Sequence, residues 1–489
     1  ALRQGRTKVR LRLLSLGVGC GVICLAGHPQ LTIYALVVAG VYGACRLVGA
    51  IRWRALAAMA CGTALAGFVL VPMVQLIGRS TRVMPLDRAD NDIAMPVARL
   101  AAMLFPFRDG VPPGLESSGS LPPFSGYTHT AYFWDTVNYV GWLPVVAIVV
   151  MLIVAVRRRQ VPAVGVLLAA ITVAALLLAL PTGELVSRLL PGTMLRSPAR
   201  WMYVVTFGLA LAAGALVAHV RGLGASGALL TVLMLAGHGW DLWRHNRLFL
   251  QPPIHSWRWT PRIEEMIIRM TGNQRVAIDI EEMLALNRML DDVGFFDSII
   301  LANPYRALLR MEPRLGRQNI QQLNGSQLRP ETLAHFGARL VVTRDNRPDL
   351  PKVLDGVLKI YQVPGATARA SWVDYPLRPG IEYRRPHPDQ IELSLTSETG
   401  GRVQVLEAFD PGWSARIDGQ PAPVEMLRGF ALGVTVPPGK HEVVFRYHTP
   451  GKSLGIIVSL TAAGALGLLC LTTAPAGTPR VQQASSGVA

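Results

Sequence analysis

The sequence predicts an α-helical polytopic membrane bundle of about eight transmembrane helices, with an extracytoplasmic α/β plus β-sandwich domain set before the last of them. Three observations predict it: the composition, the placement of the uncharged runs, and the distribution of arginine. The chain has 489 residues, of which 51% are hydrophobic and only 16% charged, and its mean hydropathy is +0.34. A soluble protein of this size cannot hide that much apolar surface. Runs such as Val161 to Leu180 and Trp201 to Ala218 carry no charge. Each is long enough to cross a hydrocarbon core of roughly 30 Å at 1.5 Å per residue.

The expected spans are 11–27, 31–49, 55–77, 138–156, 161–180, 200–219, 225–242 and 453–472. Residues 1–242 thus form the bundle, with a long outer loop at 78–137, and 473–489 form a cytoplasmic tail. Orientation follows from basic residues in the short loops. Arg3, Arg6, Lys8 and Arg10 precede the first span, Arg46, Arg52 and Arg54 flank the next inner loop, and Arg157, Arg158, Arg159 and Arg221 mark the others. All are cytoplasmic if the spans alternate. The loop 78–137, the loop 181–199 and the domain 243–452 then face outward. The formal net charge of +17 comes largely from these helix-end arginines, so topology and lipid phosphate account for it and nucleic acid is excluded as a partner.

The outer domain reads in two parts. Region 243–354 alternates helix-like and strand-like pieces: a helix opened by Pro261, a strand from Arg275, a helix from Pro330 to Phe336 and a strand from Ala338 to Thr343. Region 355–452 reads as an antiparallel sandwich. Val403 to Ala408, Trp413 to Ile417, Phe430 to Val436 and His441 to Tyr447 are its strands, and Asp418-Gly419 is a hairpin turn.

Candidate functional residues lie in the membrane half and at its rim. The outer loop 181–199 carries Arg188 and Arg196, with Arg200 at its edge, against the usual charge bias. A lipid phosphate is the natural partner, because guanidinium grips phosphate in a two-pronged fork; snorkelling to headgroups is the alternative. Gly27-His28-Pro29-Gln30 joins the first two spans. Leu13 to Ala26 covers only about 21 Å at helical rise, which puts His28 and Gln30 below the surface, lining a cavity; if Arg10 and Arg12 snorkel and the helix starts earlier, the segment is an ordinary tight turn. Asp90 and Asp92 form an Asp-x-Asp pair able to hold a divalent cation, or else a solvated acidic turn. That cation is the one cofactor candidate. Trp134 and Trp413 are candidate sugar contacts, with an interfacial belt and a sandwich core as their plain readings. His238 and Asp241 are spaced to hydrogen-bond across the bundle. Cys20, Cys24, Cys45, Cys61 and Cys470 all lie in apolar segments and read as packing residues. No phosphate-binding glycine loop, HExxH or paired CxxC occurs.

Several short motifs together resemble the YfhO family of bacterial membrane proteins. They are Gly27-His28-Pro29-Gln30, Arg79-Ser80-Thr81-Arg82 after Val71-Pro72, and Leu190-Pro191-Gly192 leading to Arg196-Ser197-Pro198-Ala199-Arg200. The most specific are Asp410-Pro411-Gly412-Trp413-Ser414-Ala415, Ile417-Asp418-Gly419 and Val436-Pro437-Pro438-Gly439-Lys440-His441. The resemblance implies a GT-C-like glycosyltransferase of the bacterial cytoplasmic membrane. Such a protein transfers a sugar from a polyprenyl-phosphate carrier to a cell-envelope polymer or glycolipid at the outer face. It also implies a catalytic carboxylate in a first outer loop near the N-terminus. The chain opens at Ala1 on a basic stretch without Met, so N-terminal helices bearing that base are expected to precede it. The alternative is a non-catalytic envelope-assembly subunit or lipid-linked glycan translocator.

Overall fold

The computed structural model describes residues 2–26, 28–83, 94–108, 110, 138–159, 162–183, 198–247, 261–279, 290–296, 300–315, 322–356, 358–374 and 380–472. The chain divides into two units. One comprises Ala1–Pro72, Asn91–Ile254 and Gly451–Ala489, and the other Met73–Asp90 and His255–Pro450.

The first unit is helical: α1 (Leu2–Leu25), α2 (Pro29–Arg46), α3 (Gly49–Leu65), α4 (Gly67–Ile77, which runs on into the second unit), α5 (Trp142–Arg158), α6 (Ala163–Ala179), α7 (Met202–Arg221), α8 (Ala225–Asn246) and the final helix of the chain at Lys452–Leu471. Between helices in lipid there is little hydrophobic drive, so small residues that let backbones meet decide the packing. Gly17 and Gly21, four apart on α1, face α3. A Cβ on Gly62 would overlap the Gly17 backbone, and one on Gly21 would sit 3.0 Å from the Gly62 carbonyl oxygen. Leu466 of the final helix packs over the same spot, in a cluster with Leu13, Ala55 and Ala58. Arg10 donates to the Leu471 carbonyl at 2.8 Å, capping an end of the final helix that has unpaired carbonyls. One of the arginines expected to set topology is thus also a helix cap.

Outward-facing apolar side chains are plentiful. Val149, Leu152, Ile153 and Val156 on α5, and Leu229, Val232 and Leu233 on α8, are exposed, as befits surfaces that meet lipid rather than water. Among the described residues, two helical stretches are long and apolar enough to cross a membrane, Pro198–Arg221 and Lys452–Leu471. A third is present if α3 and α4 count as one broken span. The expected span at 55–77 falls on this pair. The chain bends by 71° between Leu65 and Gly67, where Gly67 lies against the backbone of Gly455.

The second unit is built from α9 (Pro261–Thr271), α10 (Ala302–Met311), α11 (Pro330–His335) and fifteen strands, β1 (Arg275–Ile278) through β15 (Gly439–Tyr447). One four-stranded sheet has the order β1-β4-β6-β5, with β1 parallel to β4 (Ala338–Thr343) and β6 (Lys359–Gln362) antiparallel to it. Both faces of β4 are covered: Leu340 and Val342 pack with Ile267 of α9 on one side, and Val341 with Tyr305, Leu308 and Leu333 on the other. That is why Leu340-Val341-Val342 at its centre is continuously apolar rather than alternating. Because β5 (Lys352–Leu354) and β6 belong to this sheet, the α/β part runs past residue 355. Two further sheets, one in the order β13 (Glu425–Leu427), β14 (Ala431–Val436), β10 (Gly401–Ala408), β7 (Ala370–Trp372) and the other in the order β12 (Gln420–Ala422), β11 (Trp413–Ile417), β15, β9 (Gln390–Ser397), β8 (Ile381–His387), enclose Trp372, Leu393, Val403, Val434 and Phe445.

One buried carboxylate stitches this unit. Asp410, 3% exposed at its side chain, ion-pairs with Arg79 at 2.9 Å. Its Oδ1 also accepts from Gly412 N at 3.0 Å and from the Tyr447 hydroxyl at 3.2 Å. Beside it, Ala302 N donates to the Arg79 carbonyl at 2.9 Å. Breaking a buried pair strands the remaining charge, so Asp410→Ala is expected to destabilise the unit by about 3–5 kcal/mol, read as a lower denaturation midpoint by tryptophan fluorescence.

At the other end of the sandwich His441 Nδ1 meets Asp418 Oδ2 at 2.6 Å, and Glu442 N donates to Asp418 Oδ1 at 2.8 Å. The contact with Asp418 raises the His441 pKa above its ordinary value. The Glu442 amide, then His441, lower that of Asp418. The histidine's contribution is full below its unfolded value near 6.5 and is lost as pH rises through the higher folded value. The aspartate's is full above its unfolded value near 3.8 and is lost as pH falls through the lower folded one. The stability difference between wild type and His441→Gln is therefore expected to be largest in mildly acidic buffer and to shrink above neutrality in melting curves taken across pH.

Candidate functional site

Pro29 occupies the first turn of α2, where its missing N–H costs nothing and its fixed φ suits a helix start. His28 stays extended just before it, with φ −112°. One turn into the helix Gln30 and Tyr34 lie four apart on one face, both buried. Gln30 Nε2 donates to the Tyr34 hydroxyl at 2.6 Å. From elsewhere in the same unit a short 3-10 turn, Pro198–Trp201, enters α7 with Pro198 and Ala199 buried. That anchorage brings Arg200 to this point. Its Nη1 lies 2.9 Å from His28 Nε2 and 3.0 Å from Gln30 Oε1.

The geometry fixes protonation. A guanidinium only donates, so His28 Nε2 is the acceptor and the ring is the neutral tautomer with its proton on Nδ1. Gln30 is oriented too, its oxygen toward Arg200 and its nitrogen toward Tyr34. The stack of Tyr34 on Trp201, with ring centroids 3.8 Å apart and planes at 19°, locks the floor of the group. The group sets a guanidinium, an imidazole and an amide side by side, a combination chemically suited to an anion and to the hydrogen-bonding groups of a sugar.

Sequence reasoning named His28, Gln30 and Arg200, and the fold brings these three together. It missed Tyr34 and Trp201, whose signals were the i, i+4 spacing from Gln30 and adjacency to Arg200. Arg196, Trp134, Asp90 and Asp92 lie outside the described residues. Trp413 packs at the margin of the sandwich core, its ring 5.2 Å from that of Tyr447. Among the described residues no group of three or more His, Cys, Asp or Glu side chains is placed to hold a metal ion.

A second polar group occupies the C-terminal part of α8: of the expected pair, Asp241 accepts a hydrogen bond from outside the helix, while His238 Nδ1 is buried without one among the described residues. The Tyr139 hydroxyl donates to the Asp241 carboxylate at 2.7 Å, and His245 stands one turn further on, 3.3 Å from it. Gly141, at φ 72°, makes room: a side chain there would press on His238 and Asp241.

Residues 391–459, from the strands β9 (Gln390–Ser397) and β15 into the final helix, match the family described as Bacterial membrane protein YfhO. That stretch is similar to the YfhO family of bacterial membrane proteins. The matched stretch contains Asp410, Asp418 and His441, so the residues that identify a YfhO segment here are ones that hold the sandwich together. The family is associated with glycosyltransferase-like membrane proteins. No curated protein and no solved structure matches the chain at a significant level.

For the Arg200 group, Tyr34→Phe removes the acceptor of a buried amide. A loss of about 1–3 kcal/mol is expected, measurable as a lower melting temperature in detergent with membrane insertion retained.

Proposed function

We propose that this chain is a GT-C-like glycosyltransferase that moves a sugar from a polyprenyl-phosphate carrier to a cell-envelope polymer or glycolipid at the outer face of the bacterial cytoplasmic membrane. The observation that carries the reading is the convergence of Arg200, His28 and Gln30 on a floor of stacked rings. In this reading the bundle crosses the membrane about eight times, and residues 243–452 are extracytoplasmic.

Arg200, with Arg196, holds the carrier phosphate. His28 and Gln30 hydrogen-bond the sugar or the acceptor, and Trp134 and Trp413 are further sugar contacts. An acceptor hydroxyl attacks the anomeric carbon as a carboxylate takes its proton. The bond to the phosphate oxygen breaks, and polyprenyl phosphate leaves with the electron pair. The guanidinium stabilises the charge growing on that phosphate, which is where an electrostatic contribution lowers the barrier. No nucleotide is needed at such a site, in keeping with the lack of nucleotide motifs.

The test is Arg196→Ala combined with Arg200→Ala. Two lost charge-assisted contacts of about 1.5–3 kcal/mol each predict a fall of at least about a hundredfold in glycosylated product by mass spectrometry of envelope glycans, with protein still in the membrane. Unchanged glycans would overturn the transferase and leave the subunit or translocator reading. A reporter fused near Pro198 that reads as cytoplasmic would remove the site from the required face.

A further inference from the structure

The second unit gathers basic side chains from three elements around one tight turn. Strands β13 (Glu425–Leu427) and β14 (Ala431–Val436) are joined through Arg428 and Gly429, both with positive φ, 52° and 78°. Phe430 N closes the turn on the Leu427 carbonyl at 3.0 Å. Arginine is a costly choice for a left-handed position, where Asn or Asp is the usual non-glycine residue. Helix α10 lies over this hairpin, Asn303 Nδ2 reaching Met426 Sδ at 3.4 Å. Arg306 and Arg310 follow Asn303 on that face, at i+3 and i+7. The Arg310 guanidinium rests directly on Gly429, so that any side chain there would overlap its Nη2. The His335 ring, from α11, stands 5.9 Å from the ring of Phe430 at the other flank of the turn.

The neighbouring carboxylates are spent elsewhere. Glu312, two residues beyond Arg310, is buried and held by Arg314, Arg329 and Thr332. Glu425 accepts from Thr435. Among the described residues no carboxylate forms an ion pair with Arg306, Arg310 or Arg428. Arg428 is half-buried, and burial lowers its pKa from the ordinary value. Burial, and then the charge of Arg428, lower that of His335. Like charges drawn together out of water raise the energy of the empty site, and an anion arriving there recovers it.

We infer that Arg306, Arg310, Arg428 and His335, set around the Arg428-Gly429 turn, form a binding site for a phosphate-class anion, separate from the Arg200 group. The glycine matters because a side chain at 429 would meet Arg310 Nη2; without one, that guanidinium sits against Gly429, next in sequence to Arg428, and arginine is the residue suited to gripping phosphate.

The experiment is hydrogen–deuterium exchange on the full chain in phosphatidylcholine nanodiscs, comparing sodium phosphate with sodium chloride at matched ionic strength. Phosphate at twice its dissociation constant should slow exchange in the peptide spanning 425–432 by about threefold, and chloride should not. The Arg310→Gln and Arg428→Gln double variant should lose this protection. Arg310→Gln alone, a change on an exposed helix face, should weaken it in a protein that still folds. Arg200→Ala should leave it intact, so failure of the transferase reading does not touch this one. In a second arm, protection appearing with phosphatidylglycerol in the disc but not with inorganic phosphate would identify a lipid headgroup as the source. Absence of protection in both arms, equal protection by chloride, or protection that survives the double variant would overturn the site.

Discussion

A polar group taken out of water must find its partner inside the chain, and that requirement organises both units. Asp410 is the clearest case: a carboxylate at 3% exposure satisfied by an arginine, a backbone amide and a phenol. Left without any of them it would cost several kcal/mol. Glu312 is treated the same way, with Thr332, the Arg329 amide and two guanidinium groups around it. In the helical unit Gln30 and Asp241 are each closed off by a tyrosine hydroxyl. Position in the fold, more than residue type, decides what each of these groups meets. Arg200 reaches the side chains of His28 and Gln30, whereas Arg79 reaches a carboxylate.

The sandwich was the most legible part of the sequence, because period-2 alternation and turn residues are local signals. The strand at Trp413–Ile417 and the turn at Asp418-Gly419 stand where those signals put them. The division of the outer domain near residue 355 was less legible. β6 is a short strand next to the sandwich in sequence, yet it pairs with β4 across fifteen or more intervening residues, and nothing local records which sheet a strand joins. The helical unit holds a related feature. Hydropathy treated 55–77 as one span because it reads composition, whereas the break at Ala66 arises from Gly67 meeting Gly455 nearly four hundred residues on, a contact no window contains. Of the candidate site, the polar residues were visible as departures from an apolar background. Tyr34 and Trp201 were not, since aromatic residues are expected near a membrane surface for other reasons.

The family motifs have a double character in this light. Arg79-Ser80-Thr81 and Asp410-Pro411-Gly412 stand far apart in sequence and read as independent signatures. The ion pair between Arg79 and Asp410 makes them two halves of one structural joint. The segments that make the chain recognisable are thus mainly those that shape the scaffold. The residues proposed to meet ligand sit in shorter and less distinctive stretches, on a turn before α2 and a single 3-10 turn before α7.

The pairing of Arg79 with Asp410 also bears on how the protein is made. The arginine leaves the ribosome about 300 residues before its partner, a delay on the order of fifteen seconds or more at ordinary elongation rates. Arg10 waits longer still for Leu471. During that interval both side chains must stay solvated or borrow temporary company, and the second unit cannot close until nearly the whole polypeptide exists. Nascent chains arrested before residue 410 are in consequence incomplete on both counts, which makes the late-emerging strands the step that commits this protein to its native state.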